Sequence, residues 1–189
     1  MRKLKLQVQL TVDGYHSGPN GELNWMNFNW DEKLIDYVNK LTDSCDTILL
    51  GRKMTDGFVN YWEGVLKTSE SPEYDFARKM VNTPKIVFTK TLEKSPWNNT
   101  KIEKGDLKEE VNKLKGLNGK DIIVYGGTSF VAKLIKEGLI DEYHLFINPA
   151  VIGNGKTIFG ELDKTRSLAL KNTIAFKNGI VMNHYEPVK

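Results

Sequence analysis

A strand that runs into two adjacent glycines and then into a helix constrains this chain more than any other segment. Residues 121–131 read Asp-Ile-Ile-Val-Tyr-Gly-Gly-Thr-Ser-Phe-Val, an apolar run that stops at Gly126-Gly127, after which Phe130 and Leu134 follow with helical spacing. Glycines let a ligand approach bare backbone, and unpaired amides at a helix N-terminus favour phosphate. The segment predicts a strand–turn–helix unit whose turn is either a phosphate site or a junction that uses glycine only for steric reasons.

Composition excludes several classes of protein. Among the 189 residues, 27 are basic and 24 acidic, and the net charge of +3 is too balanced to indicate nucleic-acid binding. No apolar run approaches the ~18 residues of a membrane span, and the N-terminus lacks a signal-peptide pattern, so we expect a cytoplasmic protein. The single cysteine, Cys45, excludes an internal disulfide.

Apolar periodicity divides the chain into strands and helices that alternate. Predicted strands cover 4–12, 47–50, 84–89, 121–125, 143–147, 167–176 and 180–186, and predicted helices cover 69–80, 107–114 and 128–137, with a further helix that Asp31 opens. Asn178-Gly179, between the last two strands, is a strong hairpin signal. The pattern predicts one α/β domain over residues 1–189, with a mostly parallel central sheet flanked by helices and an antiparallel hairpin at the C-terminus.

Two more strand ends carry groups that suit phosphate. One apolar run leads into Gly51, Arg52 and Lys53, and another ends at Thr89 and Lys90. Arginine offers a planar fork of donors and lysine a flexible point charge. Ligands of open α/β sheets bind beyond the carboxyl ends of the strands. Each end alone is better explained as a solvated strand terminus, but the three together predict a site for a phosphate-rich ligand.

The three histidines, His16, His144 and His184, are scattered and show no metal-ligand spacing. The sequence therefore predicts no metal site. We expect His144 and His184 to be ordinary half-buried residues of strands, and nothing in the sequence around His16 supports a substrate contact there.

Asp31 has two interpretations. It follows the aromatic residues Trp25, Phe28 and Trp30, and a carboxylic acid in an apolar pocket can have a raised pKa and donate a proton near neutral pH. On that interpretation Asp31 is the candidate catalytic residue. Aspartate is also a preferred N-cap, and Asp31 directly precedes the apolar stripe of a predicted helix. We favour the N-cap.

An ordered set of motifs resembles the dihydrofolate reductase-like superfamily. The motifs are Val8 to Gly14 with the Gly18-Pro-Asn-Gly21 loop, Leu50-Gly-Arg-Lys53, Val124-Tyr-Gly-Gly-Thr-Ser129, Gly138-Leu-Ile-Asp-Glu142 and Gly153-Asn-Gly-Lys-Thr-Ile-Phe159. They cover essentially the whole chain. Within the superfamily, the chain resembles the reductase domain of bacterial riboflavin biosynthesis and its stand-alone relatives.

The resemblance implies NADPH as the cofactor. The implied binding residues are Gln9 and Thr11 near the nicotinamide, Arg52, Lys53, Thr89 and Lys90 around the ribose phosphate, Gly126, Gly127, Thr128 and Ser129 at the pyrophosphate, and Gly51 and Tyr125 from the same motifs. In this superfamily the paired glycines typically meet in a cis peptide. Met54 departs from the family, which usually has threonine there, so one hydroxyl is lost.

The resemblance also implies an activity. It predicts an NADPH-dependent reductase that transfers a hydride to a C=N or C=O group of a small heterocyclic or ribosylamino-pyrimidine-type substrate, similar to 5-amino-6-(5-phosphoribosylamino)uracil reductase or dihydrofolate reductase. The alternative is a non-catalytic nucleotide- or pterin-binding protein of the same fold. Deamination is excluded because the zinc signature of the riboflavin deaminase is missing. We expect a homodimer, from the resemblance and from apolar residues near the C-terminus: Leu168, Leu170, Ile174 and Phe176.

Overall fold

Strands and helices alternate along most of the chain and build one sheet with helices on both faces. The structure is a computed structural model and describes residues 1–188. Its strands are β1 Leu4–Thr11, β2 Cys45–Gly51, β3 Lys85–Phe88, β4 Thr100–Glu103, β5 Asp121–Val124, β6 Glu142–Asn148, β7 Leu168–Ala175 and β8 Val181–Pro187. Its helices are α1 Glu32–Asp43, α2 Arg52–Val65, α3 Tyr74–Asn82, α4 Leu107–Gly116 and α5 Thr128–Lys136.

The sheet has the strand order β4-β3-β2-β5-β1-β6-β8-β7. The neighbours from β4 to β6 pair in parallel, and β8 and β7 pair antiparallel at one side. Parallel neighbours need crossover connections, and the helices lie in these connections except between β3 and β4, where residues 89–99 form no helix. The predicted α/β fold, mostly parallel with an antiparallel C-terminal hairpin, is confirmed.

The central strand β1 is buried on both faces. Leu6 lies opposite Val124 on one side and Tyr143 on the other. The alternation of apolar and polar residues in β1 is typical of a strand with one face in the core, yet Lys5 and Gln7 on the other face are only 8% and 7% exposed. The difference arises because α1 covers the face that carries these polar residues.

The helices pack in two layers. On one face, α4 and α5 contribute Val111 and Leu134 to a core against β1. On the other face, α1, α2 and α3 contribute Leu41, Phe58 and Met80 to a second core against β2. Burial of these apolar side chains on both faces is what a largely parallel sheet requires.

The C-terminal hairpin forms at the predicted turn. Gly179 has φ +87° and the Ile180 amide donates to Oδ1 of Asn178 at 3.1 Å. Phe176 is only 5% exposed because it packs against α1, and among the four apolar residues that suggested a dimer only Leu170 is exposed.

Two stretches of the chain differ from the sequence-based expectation. Strand β4 was not predicted, because the sequence Thr-Lys-Ile-Glu has one apolar residue and the strand lies at the edge of the sheet. Helix α3 begins at Tyr74, shortly after Pro72, near which the stretch 69–80 was expected to become helical. The stretch with Phe58, Tyr61 and Trp62 is helix-like or irregular by its sequence alone, and in the structure it belongs to helix α2.

The carboxyl ends of the parallel strands lie along one edge of the sheet, called the carboxyl edge below. The strand ends at this edge include Thr11, Gly51, Phe88, Val124 and Asn148. It is therefore the place where the predicted phosphate-binding groups can meet. None of the helices within residues 1–188 has the length and apolar content that crossing a membrane needs.

Gly57 offers a test of helix α2. It lies inside the helix, is exposed, and a Cβ there would meet no atom within 4 Å. Glycine in a helix interior costs about 0.5–1 kcal/mol relative to alanine. Gly57→Ala should therefore raise the free energy of unfolding by about that amount in urea denaturation. A lower free energy of unfolding would contradict the helical assignment at this position.

Candidate functional site

Two glycine turns meet at the carboxyl edge, one joining β2 to α2 and the other joining β5 to α5. A Cβ on Gly51 would lie 2.6 Å from the Cβ of Phe130, so only glycine lets α5 pack this closely. Met54, in the first turn of α2, contacts the second turn: its Sδ lies 3.6 Å from the Cβ position of Gly126, and its Cβ lies 3.6 Å from that of Gly127. The structure therefore brings two of the three predicted strand ends into direct contact.

The third strand end lies beside them. The ring of Phe88, the last residue of β3, packs against that of Phe130 with centroids 5.5 Å apart. The next residue, Thr89, is buried and its hydroxyl hydrogen-bonds to a neighbouring threonine at 3.2 Å. The ammonium of Lys90 donates to the carbonyl of Lys104 at 2.5 Å. The three ends are adjacent, but the polar groups of Thr89 and Lys90 are engaged within the protein.

Helix α5 begins with amides that no protein group satisfies. Its N-cap, Gly127, has φ +84° and Gly126 has φ +150°, a region that side chains other than glycine rarely adopt. No side chain caps the helix, and the amides of Thr128 and Ser129 donate to no group within residues 1–188. Unpaired amides at the positive end of a helix dipole suit a phosphate group.

The peptide geometry of this turn differs from the expectation. No cis peptide bond occurs among residues 1–188, so the cis link expected between Gly126 and Gly127 is wrong. Two successive glycines with positive φ make the turn instead.

The planar guanidinium group of Arg52, at the start of α2, is held in a fixed orientation. Its Nη1 donates to Oδ2 of Asp56 at 2.8 Å, and its guanidinium lies over the ring of Trp97 at 5.1 Å from the centroid. The Nε1 of Trp97 donates to the other carboxylate oxygen of Asp56 at 3.0 Å. The side chain of Arg52 keeps 35% of its surface exposed, so donors remain for a ligand. Lys53 is exposed beside it.

Gln9 and Thr11, the two residues expected near the nicotinamide, lie in different surroundings. Gln9 lies at the carboxyl edge, where its Oε1 accepts from Nδ2 of Asn148 at 2.6 Å. The hydroxyl oxygen of Thr11 is buried and accepts from a backbone amide four residues further on. The hydroxyl of Tyr125 meets that of Thr42 at 3.0 Å, and burial raises the pKa of Tyr125. Gln9 therefore lies at the edge, whereas the hydroxyls of Thr11 and of Tyr125, a residue implied by the same motifs, are engaged inside the protein.

His16 lies at the glycine turn, although no periodic signal in the loop sequence marks it. Its Nδ1 is 3.2 Å from the carbonyl oxygen of Gln9, which can only accept, so Nδ1 carries the proton and Nε2 does not. Nε2 lies 3.3 Å from the position that a Cβ would take on Gly126. Burial lowers the pKa of His16, so the imidazole is neutral at pH 7. The site therefore includes a hydrogen-bond acceptor beside the glycine turn.

Asp31 caps helix α1 and is poorly suited to donate a proton. Its Oδ1 accepts from the amide of Leu34 at 2.9 Å and its Oδ2 accepts from the amide of Lys177 at 2.9 Å. These two amides, with that of Leu34 the stronger influence, hold the pKa of Asp31 below its ordinary value. A catalytic acid near neutral pH needs a raised pKa. The structure thus confirms the N-cap, and the lowered pKa does not favour Asp31 as the catalytic acid.

Gly126→Ala tests whether the turn binds a dinucleotide, as the resemblance implies. The new methyl group would require a backbone with φ +150° and would lie 3.3 Å from the ring of His16. We expect a loss of about 1–3 kcal/mol in the free energy of unfolding, and loss of NADPH binding in isothermal calorimetry. Gly21→Ala is the control, because φ is +101° there and a Cβ meets nothing within 4 Å. Equal NADPH affinity in the two variants would contradict the assignment of the turn.

Asp31→Asn separates the capping role from the acid role. Asparagine is also a good N-cap, but its single carbonyl oxygen can accept from Leu34 and not also from Lys177, so the melting temperature near neutral pH should fall less for Asp31→Asn than for Asp31→Ala. Because the folded state lowers the pKa of Asp31, its carboxylate stabilises the fold above the ordinary carboxyl pKa, and this contribution is lost as pH falls through the folded value. Between neutral pH and about pH 3, melting temperatures should fall less steeply for Asp31→Asn than for the wild type. Loss of turnover in Asp31→Asn without a matching loss of stability would instead support Asp31 as the catalytic acid.

Known structures share the fold. The diaminohydroxyphosphoribosylaminopyrimidine deaminase/5-amino-6-(5-phosphoribosylamino)uracil reductase of Thermotoga maritima superposes with a TM-score of 0.70 at 17% identity, over 99% of this chain and 57% of that one. Dihydrofolate reductase from Enterococcus faecalis, solved with NADP(H), superposes with a TM-score of 0.61 at 16% identity, over 99% and 97% of the two chains. Identities this low show the fold alone, which is the predicted dihydrofolate reductase-like fold.

Sequence comparison shows the family. The chain is 35% identical over 186 residues to YyaP, an uncharacterised protein of Bacillus subtilis (strain 168), over 97% of this chain and 94% of that protein. Residues 2–182 match the model of the RibD C-terminal domain. The chain therefore belongs to the RibD C-terminal domain family.

Proposed function

We propose that the protein is an NADPH-dependent reductase of a small heterocyclic substrate. The observation that carries the proposal is the contact between the two glycine turns, each of which opens a helix without a side-chain cap. Two helix N-termini at one sheet edge suit a ligand with more than one phosphate group. NADPH has a pyrophosphate and a ribose phosphate, and the superfamily resemblance names it.

The residues present fit this cofactor. In the proposal the free amides of Thr128 and Ser129 bind the pyrophosphate, and the glycines before them leave room for it because a Cβ there would fill the cradle. Arg52 and Lys53 bind the ribose phosphate. The stacking of Arg52 on Trp97 pre-orients its planar fork, which reduces the entropy lost when a phosphate binds.

The chain itself would bind, orient and supply polar contacts. When bound, NADPH supplies the hydride, which the protein cannot. The neutral Nε2 of His16 can accept a hydrogen bond from a hydroxyl or amide group of a ligand at the turn, but it has no proton to donate at pH 7. Because Asp31 is engaged as a helix cap, we propose that water supplies the proton that the substrate takes up.

An apolar rim beside the carboxyl edge suits a flat heterocycle. Val12, Phe28 and Val151 are 61%, 73% and 70% exposed. The loop of Phe28 is tied to the edge by the amide of Asn27, which donates to Oδ1 of Asn148 at 3.1 Å. We propose that this rim receives a substrate with a reducible C=N or C=O group, of the heterocyclic or ribosylamino-pyrimidine type.

Loss of reduced-nicotinamide absorbance tests the proposal, with a panel of ribosylamino-pyrimidines, pterins and quinones. We expect oxidation of NADPH with at least one of them and slower oxidation of NADH. The alternative, a non-catalytic binding protein, is favoured by Met54, which lacks a hydroxyl, and by the engagement of Asp31 as a cap. Tight NADPH binding without oxidation would support that alternative, and absence of NADPH binding would overturn both.

Arg52→Ala tests cofactor choice. The change should weaken NADPH binding by about 1.5–3 kcal/mol, roughly 10- to 150-fold, and leave NADH binding nearly unchanged, because it removes a charge-assisted contact to the ribose phosphate. Asp56→Asn is the control: it removes the carboxylate that neutralises Arg52, so NADPH should bind at least as tightly as in the wild type. Equal losses of NADPH and NADH affinity in Arg52→Ala would contradict the proposed role of Arg52 in binding the ribose phosphate.

A homodimer stays a proposal, supported by the superfamily resemblance and by the exposed side chain of Leu170. Light scattering should report about twice the chain mass. A mass near 21.5 kDa would refute the dimer.

A further inference from the structure

Glu142, His144 and His184 form a cluster of possible metal ligands far from the glycine turns. Glu142 and His144 are two residues apart on β6 and so share a face of the sheet, and the antiparallel register of β6 and β8 sets His184 opposite His144. One ligand atom from each of the three residues lies within 4.8 Å of the other two. Two of the three residues are buried and His184 is half-buried.

The hydrogen bonds of this cluster are incomplete. Oε1 of Glu142 accepts from the ammonium of Lys3 at 2.6 Å. Oε2 faces the Nε2 of His144 at 3.3 Å and the Nε2 of His184 at 3.8 Å. The Nε2 of His184 is buried and has no hydrogen-bond partner among residues 1–188. A buried polar atom without a hydrogen-bond partner is energetically unfavourable. A ligand that fills the space between these three atoms would satisfy it.

We propose that Glu142, His144 and His184 bind a divalent transition-metal ion, with zinc the best match. Two histidines and a glutamate, completed by water, are a known zinc ligand set. Tetrahedral bonds of about 2.1 Å place ligand atoms roughly 3.4 Å apart, close to the observed carboxylate–imidazole separations of 3.3 and 3.8 Å. The ion would take a lone pair from each atom, including the unpartnered Nε2 of His184.

The surrounding groups support such an ion. The Nδ1 of His144 lies 2.8 Å from the hydroxyl of Tyr37, and metal-bound histidines usually make such a bond from the other ring nitrogen. The ammonium of Lys5 lies 3.8 Å from Glu142 but is held more closely by Asp121 and by the hydroxyl of Ser44, each at 2.9 Å. The charged groups around the cluster are Lys3, Lys5 and Lys171 against Asp121, Glu142 and Glu186, so they balance and leave no net positive charge to repel a cation.

Binding requires one local movement. The rings of His144 and His184 are nearly parallel, with centroids 4.4 Å apart and planes at 15°. The nitrogen lone pairs of the two rings therefore point in similar directions and do not converge on one ion. His184 is the more exposed of the two side chains, 19% against 5%, and its ring turns toward the ion. Glu142 begins β6 and Asn148 ends it at the carboxyl edge, roughly 20 Å apart. The ion would therefore link the C-terminal hairpin to the central sheet. It would lie too far from the carboxyl edge to take part in hydride transfer.

Titration of tag-free protein with Co²⁺ and Zn²⁺ tests the proposal. We expect one Co²⁺ per chain with the visible absorption of a tetrahedral site, displacement by Zn²⁺, and a melting temperature raised by roughly 5–10 °C at a 100-fold excess of Zn²⁺ over its Kd. His184→Gln should abolish the absorption and the stabilisation. Tyr37→Phe should weaken binding about tenfold. His16→Gln, which removes the histidine outside the cluster, should bind as the wild type does.

Several results would overturn the proposal. They are absence of binding to the wild type, binding that survives His184→Gln, and equal loss of binding in His184→Gln and His16→Gln. Circular dichroism establishes whether each variant is folded. If His184→Gln does not fold, the visible spectrum of the Co²⁺-loaded wild type decides, because an octahedral spectrum without imidazole ligation contradicts the site.

Discussion

The contact between the two glycine turns determines the geometry of the candidate site. Gly51 admits Phe130 at a distance that no side chain would allow, and Met54 contacts the turn formed by Gly126 and Gly127. The first turns of α2 and α5 therefore lie side by side. A methyl group on Gly51 would displace α5 and, with it, the free amides at its start. The proposed dinucleotide site thus depends on close backbone packing as much as on any side chain that contacts phosphate.

The strands were predictable because buried strands have apolar or alternating sequences that few other structures share. Strands β1 and β5 and the C-terminal hairpin have bounds within one residue of the prediction. The N-cap at Asp31 was predictable for a similar reason, since capping depends on the local sequence. Edge strand β4 was not, because it packs little apolar surface and its sequence resembles a loop.

Side-chain convergence was harder to predict than secondary structure. The approach of three strand ends to one edge follows from parallel pairing, but the sequence does not show that Asp56 and Trp97 hold Arg52. His144 and His184 are far apart in sequence and meet only because of the register between β6 and β8. Sequence spacing therefore did not predict that this pair meets. Residues two apart on a strand, such as Glu142 and His144, were the one signal available.

The central claim is that a dinucleotide binds through the amides at the start of α5. NMR of isotope-labelled protein during titration with NADPH tests it most directly, because each backbone amide reports its own environment. We predict saturable shifts of the Thr128 and Ser129 amides. Shifts confined instead to the cleft of about 390 Å³ at the opposite edge of the sheet, which Arg78, Lys79 and Lys120 line, would contradict the account.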